Sequence, residues 1–317
     1  MEAISATLDR TKVRVGITPT LWWNDDFVLM DAGIPFEQCV SEMALAGFEG
    51  CSIGHKFPTD PAELRAALDL RGLHISEPWV STYFTIKSMR SQTLEAFQTT
   101  MKFIQAVYRG ENPMLADMVV AELGLAVHPL PVALFANRPV FNSQQWADLI
   151  SGLEELGRMA NDSGTRLCYH PHMGTGVMYL DDIVRLMDNT KPELVHLLLD
   201  TGHLDFAGVD PLTVAQKYSS RINHIHLKNT REEVVQQTRA KDLSFQEAVE
   251  GEGKKLGVWT VAGDPAGSIV FPPIFEALAK AGFKGWLVVE AEQDARKTNP
   301  LHYALMARKY LKQQLGW

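Results

Sequence analysis

The chain alternates short apolar runs with longer amphipathic ones. Apolar or alternating runs predict strands at residues 13–18 ("VRVGIT"), 50–54 ("GCSIG"), 73–79 ("LHISEPW"), 118–123 ("MVVAEL"), 166–170 ("RLCYH"), 195–200 ("VHLLLD"), 222–228 ("INHIHLK") and 285–290 ("GWLVVE"). Between them, "PFEQCVSEMALAG", "DPAELRAALDLRG", "SQQWADLISGLEELGRMAND" and "FPPIFEALAKAG" carry helical spacing, and several open at Pro or an acid and close at Gly. Strict β/α alternation implies parallel strands. Eight units predict an α/β chain folded as a (β/α)8 TIM barrel, a single domain, in preference to a doubly wound sheet. Residues 1–12 read as an N-terminal tail and 13–317 as the barrel. The stretch 229–265 is too long for an ordinary loop and reads as an extended loop or helical lid.

Composition narrows the function classes. A chain of 317 residues, 46% hydrophobic, can bury a full core. Its net charge of -8 argues against a phosphate-binding surface, so no nucleic-acid partner is expected. The N-terminus lacks an apolar signal region and no run approaches a bilayer span, which predicts no membrane partner. Cys39, Cys51 and Cys168 are widely spaced, with neither a disulfide framework nor a zinc motif, which suits a cytoplasmic protein. Assembly as a homo-oligomer is compatible with this composition.

Strand parity then selects candidate chemistry. Cys168, His170 and, with continued geometry, His172 share one face; His196, Leu198 and Asp200 another; His224, His226 and Lys228 a third; Trp286, Val288 and Glu290 a fourth. If these faces point inward, His170, Asp200, His226 and Glu290 meet at the C-terminal end of the barrel, where active sites are built. Two imidazoles and two carboxylates there form a candidate cage for a divalent metal, Mn, Co, Fe or Zn. A lone inward His is more often a hydrogen-bonded core residue, but Asp200 and Glu290 end apolar strands and need a partner if buried. His196 and His224 fall deeper and read as core or ligand-supporting residues, whereas His55, His74, His128 and His302 carry no assigned role. Trp22 and Asn24 in "LWWNDDF" could wall a polyol pocket, or simply pack and cap.

The segments "LLLDTGH" and "HIHLKNT" resemble the signatures of the xylose isomerase-like barrel superfamily. Taken in order from about Val15 to Ala304, "PFEQCVSEMALAGFEG", "IGHKFPTDPAEL", "YHPHMGTGV", "LDTGHLDFAGVDPL", "HIHLKNTR", "FPPIFEALAKAGFKGWLVVEAEQD" and "NPLHYA" resemble the inosose dehydratase family of myo-inositol catabolism. The resemblance implies a metal-dependent lyase, typically with Mn or Co, whose small-molecule substrate is a polyol ketone. That substrate would be 2-keto-myo-inositol, giving a trihydroxycyclohexane-1,2-dione and water. The chain departs from the family pattern at Ser52 and His55, at Asn229, and around Asp264, which bears on substrate choice.

Such a cage suits chemistry through an enolate. Loss of the proton α to the ketone and departure of a β-hydroxyl is dehydration, whereas return of the proton elsewhere is epimerisation or isomerisation. Glu290 is a candidate catalytic carboxylate as well as a ligand; His172, His203, Glu122 and Glu292 are the other acid or base candidates. Lys228 and Arg231 could hold substrate hydroxyls or the enolate oxygen. An AP-endonuclease-like DNA enzyme and a non-catalytic sugar-binding barrel are the rival classes.

Overall fold

The computed structural model of the chain describes residues 7–27, 30–108 and 116–317. Its strands are β1 (Val13–Ile17), β2 (Gly50–Ser52), β3 (His74–Glu77), β4 (Trp79–Thr82), β5 (Met118–Glu122), β6 (Leu167–Tyr169), β7 (His196–Asp200), β8 (Ile222–Thr230), β9 (Trp259–Val261) and β10 (Gly285–Val289). All but β9 run parallel in the order β3-β2-β1-β10-β8-β7-β6-β5-β4. Pro78 explains why nine strands make eight staves. It has no N–H to give to a ladder, so the run expected to end at Trp79 is broken there and resumes as β4. β3 pairs with β2 and β4 with β5. Across the break, Asp117 N donates to Ser76 O and Val119 N to Pro78 O. One bent stave therefore joins the two ends of the order, and the expected TIM barrel is the fold found.

The outer layer is built by α1 (Phe36–Ala46), α2 (Pro61–Asp69), α3 (Arg90–Tyr108), α4 (Ser143–Asp162), α5 (Leu180–Asp188), α6 (Thr201–Ala207), α7 (Pro211–Tyr218), α10 (Pro272–Lys280) and α11 (Pro300–Leu315), with α8 (Glu232–Lys241) and α9 (Phe245–Glu250) in the long stretch at the rim. Their ends follow from local chemistry. The Asp60 carboxylate accepts from Ala62 N and Glu63 N ahead of Pro61, and Asn142 and Gln145 form a reciprocal capping box on α4. On α4, Trp146, Leu149, Leu153, Leu156 and Ala160 recur at helical spacing and are all buried against the strands. No helix among the described residues is long and apolar enough to cross a membrane.

The two regions outside the regular β/α alternation also take definite form. Residues 1–6 of the expected tail lie outside the described residues, while Leu8 is buried and Lys12 N closes a turn on Asp9 O that leads into β1. The stretch 229–265 folds as the end of β8, α8, α9 and β9, with β9 antiparallel to Lys228, Asn229 and Thr230.

Inside the barrel, Val119, Cys168 and Leu198 form a small apolar cluster separate from the large core between strands and helices. Trp286 fills the neighbouring space. A Cβ on Gly50 would sit 2.5 Å from the Trp286 ring and 2.8 Å from His74 O, so this strand position requires glycine. Gly50→Ala is expected to destabilise the protein by about 1–3 kcal/mol through overpacking. Denaturant unfolding followed by tryptophan fluorescence checks it; an unchanged midpoint would show that the barrel interior has room to spare.

Candidate metal centre and active site

Four successive inner strands deliver the candidate ligands. His170 follows β6, Asp200 closes β7, His226 lies on β8 and Glu290 follows β10. The register places Asp200 beside His226, and each of the four offers a ligand atom within 4.8 Å of the others. His170 Nε2 lies 3.3 Å and His226 Nδ1 3.5 Å from Asp200 Oδ2, and His226 Nδ1 is 2.5 Å from Glu290 Oε2.

Local bonds aim these atoms. His170 Nδ1 donates to Pro171 O at 2.7 Å, which leaves its Nε2 a bare acceptor facing the cage. Asp200 Oδ1 caps α6 by accepting from His203 N at 2.9 Å, so Oδ2 is the oxygen left over. Asp200 Oδ2, His226 Nδ1 and Glu290 Oε2 are buried and crowd one another at 2.5 and 3.5 Å without a well-aligned hydrogen bond. Orphaned polar atoms that converge in a protein interior are costly unless something binds them.

Charge points the same way. Lys228, fully buried, lies 3.5 Å from Asp200, 3.3 Å from Glu290 and 3.0 Å from Glu292, so three carboxylates surround one ammonium. Burial works against ionised Asp200 and Glu290, but Lys228 and the neighbouring imidazoles outweigh it and hold both pKa values below the ordinary carboxylate range. Burial prevails at Glu292, pushed up to about 7 despite Lys228. Burial alone would depress Lys228, yet Asp200, Glu290 and Glu292 raise it further above its usual value. Against burial, Glu290, Asp200 and Glu77 in turn raise the pKa of His226, and imidazole and carboxylate donors of this kind fit a divalent cation of the Mn, Co, Fe or Zn class.

Below the cage, His226 Nε2 lies 3.2 Å from Glu77 Oε1, and Glu77 Oε2 lies 3.3 Å from His224 Nε2. His224 Nδ1 reaches Asp117 Oδ2 at 3.0 Å, and Arg166 donates to both Asp117 oxygens. Burial disfavours an ionised Glu77, but the His224 charge and bonds from both imidazoles hold it down at about 2.

Beside the cage lies a cavity of about 170 Å³ whose lining includes Asn24, Asp26, Ser52, Glu77, Trp79, Ser81, His128, His172, His203 and Glu292 together with His170, His226 and Glu290 of the cage. His172 and His203 pack with ring centroids 4.0 Å apart, His128 packs against His172 in a tilted arrangement, and Phe245 and Trp259 from the rim close over them. Burial first, then neighbouring positive charge, holds His172 and His203 well below the usual imidazole range, and burial lowers His128 to about 4.

The structure thus brings together His170, Asp200, His226, Glu290, Lys228, His172, His203, Glu292 and Asn24. Three sequence candidates stand elsewhere. Trp22 is buried away from the cavity, its Nε1 donating to Glu42. Glu122 turns toward residues 82–85, where its oxygens accept from Thr82 Oγ1, Phe84 N, and both Thr85 N and Thr85 Oγ1. Arg231 donates to Gly257 O and Trp259 O and pairs with Asp264, tying down β9. Asn229 likewise braces the rim, accepting from Thr230 N and Ile269 N. Residues that the sequence reading passed over are Glu77, Trp79, Asp26 and His128.

Comparison with known proteins supplies the family. The profile of the xylose isomerase-like TIM barrel matches residues 38–314. An inosose dehydratase of Geobacillus thermodenitrificans (strain NG80-2) is 46% identical over 306 residues, covering 96% of this chain and 98% of its own. An inosose dehydratase of Bacillus anthracis is 45% identical over 305 residues, covering 96% of this chain and 98% of its own. Among solved structures, an L-ribulose 3-epimerase superposes with a TM-score of 0.65 at 15% identity, covering 96% of this chain and 95% of its own, a likeness of fold alone. With identity at this level running through nearly the whole barrel, the chain belongs to the inosose dehydratase family of xylose isomerase-like TIM barrels.

Proposed function

We propose that this protein is a divalent-metal-dependent hydro-lyase that converts 2-keto-myo-inositol into a trihydroxycyclohexane-1,2-dione and water, within myo-inositol catabolism. The observation that carries the reading is the four-donor cage with unsatisfied atoms and surplus negative charge, opening onto a cavity of small-molecule size. His170, Asp200, His226 and Glu290 would hold the ion, with Mn or Co as the expected metal. When bound there, a divalent cation supplies Lewis acidity toward a ketone oxygen and stabilises developing enolate charge.

The chain's own groups do the rest. Trp79 presents an aromatic face beside His170 and His172, and Asn24, Ser52 and Ser81 line the same cavity, a surface suited to a polyol ring with an apolar face and polar edges. Lys228 sits as a fixed positive charge against oxygen that becomes anionic. For proton transfer we assign His172 and Glu292. His172 Nδ1 donates to Met173 O at 2.9 Å, so its Nε2 is a bare acceptor for the α-proton. Glu292 lines the cavity with Oε1 accepting from Lys228 Nζ at 3.1 Å, and its carboxyl is assigned to deliver a proton to the departing β-hydroxyl. His203 is otherwise engaged, with Nδ1 accepting from Met173 N and Nε2 against Lys228 Nζ. In balance, one C–H and one C–OH bond break, water leaves, and the enol tautomerises to the diketone. Burial of the cavity by Phe245 and Trp259 excludes competing solvent.

Two outcomes test this reading. Elemental analysis is expected to find about one divalent metal per chain, lost in Asp200→Asn and Glu290→Gln. Chelation should abolish the ultraviolet signal of diketone formed from the keto-inositol, and Mn or Co should restore it. Metal retained in both variants would place the ion elsewhere.

The second outcome separates the two proton carriers. In deuterated water, His172→Gln should lose both α-proton exchange and dehydration, whereas Glu292→Gln should keep exchange while dehydration falls by about 10²- to 10⁴-fold. Exchange accompanied by an epimerised ketone and no diketone would contradict dehydration and indicate an epimerase.

A further inference from the structure

The barrel interior beneath the cage holds a file of ionisable side chains that meets the cage at His226. It begins at Arg166, ahead of β6, whose guanidinium grips Asp117 through Nε at 2.8 Å and Nη2 at 3.1 Å. It continues through His224, which lies between Asp117 at 3.0 Å and Glu77 at 3.3 Å, and ends where Glu77 Oε1 meets His226 Nε2 at 3.2 Å. Asp117, His224, Glu77 and His226 come from β8 and from residues on or beside β3 and β5, so the file crosses the barrel while climbing from its N-terminal to its C-terminal end. All four are at most 4% exposed, although buried ionisable groups are expensive and aliphatic side chains would fill the same space. Val119, Cys168 and Leu198 show that the neighbouring interior is filled in that cheaper way.

We propose that Glu77, braced by Arg166, Asp117 and His224, is a positioning residue that keeps the Nε2 proton on His226 and thereby presents Nδ1 to the cage. Glu77, His224 and His226 also bring ligand-type atoms within 4.8 Å of one another, so an ion held there is the competing arrangement. A carboxylate can only accept, and its two oxygens face one imidazole nitrogen each. Accepting from His226 Nε2–H fixes which nitrogen carries a proton and the rotation of the ring. The Nδ1 atom then lies among Asp200 Oδ2 and Glu290 Oε2, as required of a ligand. His224, with a carboxylate at each nitrogen, holds Glu77 from below, and the Arg166 fork holds Asp117. The inference rests on the metal-centre reading and extends it to residues outside the four-donor cage.

The test uses the full-length protein and readouts other than turnover. Mn²⁺ titrated into the parent is expected to bind with one equivalent, and Glu77→Gln is expected to bind it about 10- to 100-fold more weakly. A glutamine has one acceptor and one donor, so it cannot accept from both imidazoles in the geometry of Glu77. In [¹⁵N]histidine spectra of the diamagnetic Zn²⁺-loaded parent, His226 should show a metal-bound Nδ1 and a protonated Nε2. That spectrum decides the matter even where Glu77→Gln does not fold. His226 bound through Nε2, or a Glu77→Gln protein with parental affinity and spectrum, would overturn the inference while leaving the metal centre in place. A second equivalent of metal that vanishes with Glu77 would also overturn it, because Glu77 would then be a ligand. A parent that binds neither ion overturns the metal-centre reading itself, and this inference with it.

Discussion

The structure depends on how negative charge is balanced in an interior without water. Asp200, Glu290 and Glu292 end their apolar runs within reach of a single ammonium, Lys228, itself fully buried. Carboxylates in such a place are tolerated only when paired or bound to a cation. The protein divides the problem into two layers. Below, Arg166, Asp117, His224 and Glu77 form a connected file, in which Glu77 Oε2 and His224 Nε2 lie 3.3 Å apart without a hydrogen bond. Above, the carboxylates outnumber Lys228, and the leftover atoms converge on one point between His170 and His226. The lower layer carries its own cation in Arg166, whereas in the upper layer three carboxylates face one ammonium, an arrangement that could hold a divalent ion.

The rim is organised around the same centre. β9 pairs with the extension of β8 and sets Trp259 over His203, while α9 lays Phe245 against His172 and His203. Arg231, Asp264 and Asn229 hold this arrangement from outside the cavity. Asn229 and Asp264 therefore brace the rim, whereas Ser52 lines the cavity itself. Aromatic cover over buried imidazoles keeps the rings neutral, and a neutral His172 retains the lone pair on Nε2 that proton abstraction needs.

Much of this was legible in the sequence because side chains alternate strictly along regular strands. Phase alone put His170, Asp200, His226 and Glu290 on inward faces, and apolar residues before Asp200 and Glu290 marked those acids as buried. The same logic could not reach residues whose direction is set off the strands. Trp22 follows β1 in a turn and faces Glu42, and Arg231 lies past the end of β8, where the chain turns into α8. Glu122 sits on β5 but on the face that holds residues 82–85. His128 reaches the cavity from a loop without periodicity. Glu77 and Trp79 straddle Pro78, where the strand breaks and the β2–β3 register shifts, so the phase of that stave was ambiguous although both residues prove central.

The central claim is that surplus buried charge at the C-terminal end of the barrel exists to hold one divalent ion. Anomalous diffraction at the manganese edge from crystals of Mn²⁺-loaded protein tests it most directly. The account predicts a single strong peak per chain, enclosed by His170 Nε2, Asp200 Oδ2, His226 Nδ1 and Glu290 Oε2, with Lys228 and Glu292 beside it and not bound to it. A peak between Glu77 and His224, or no ordered ion among these four side chains, would contradict it.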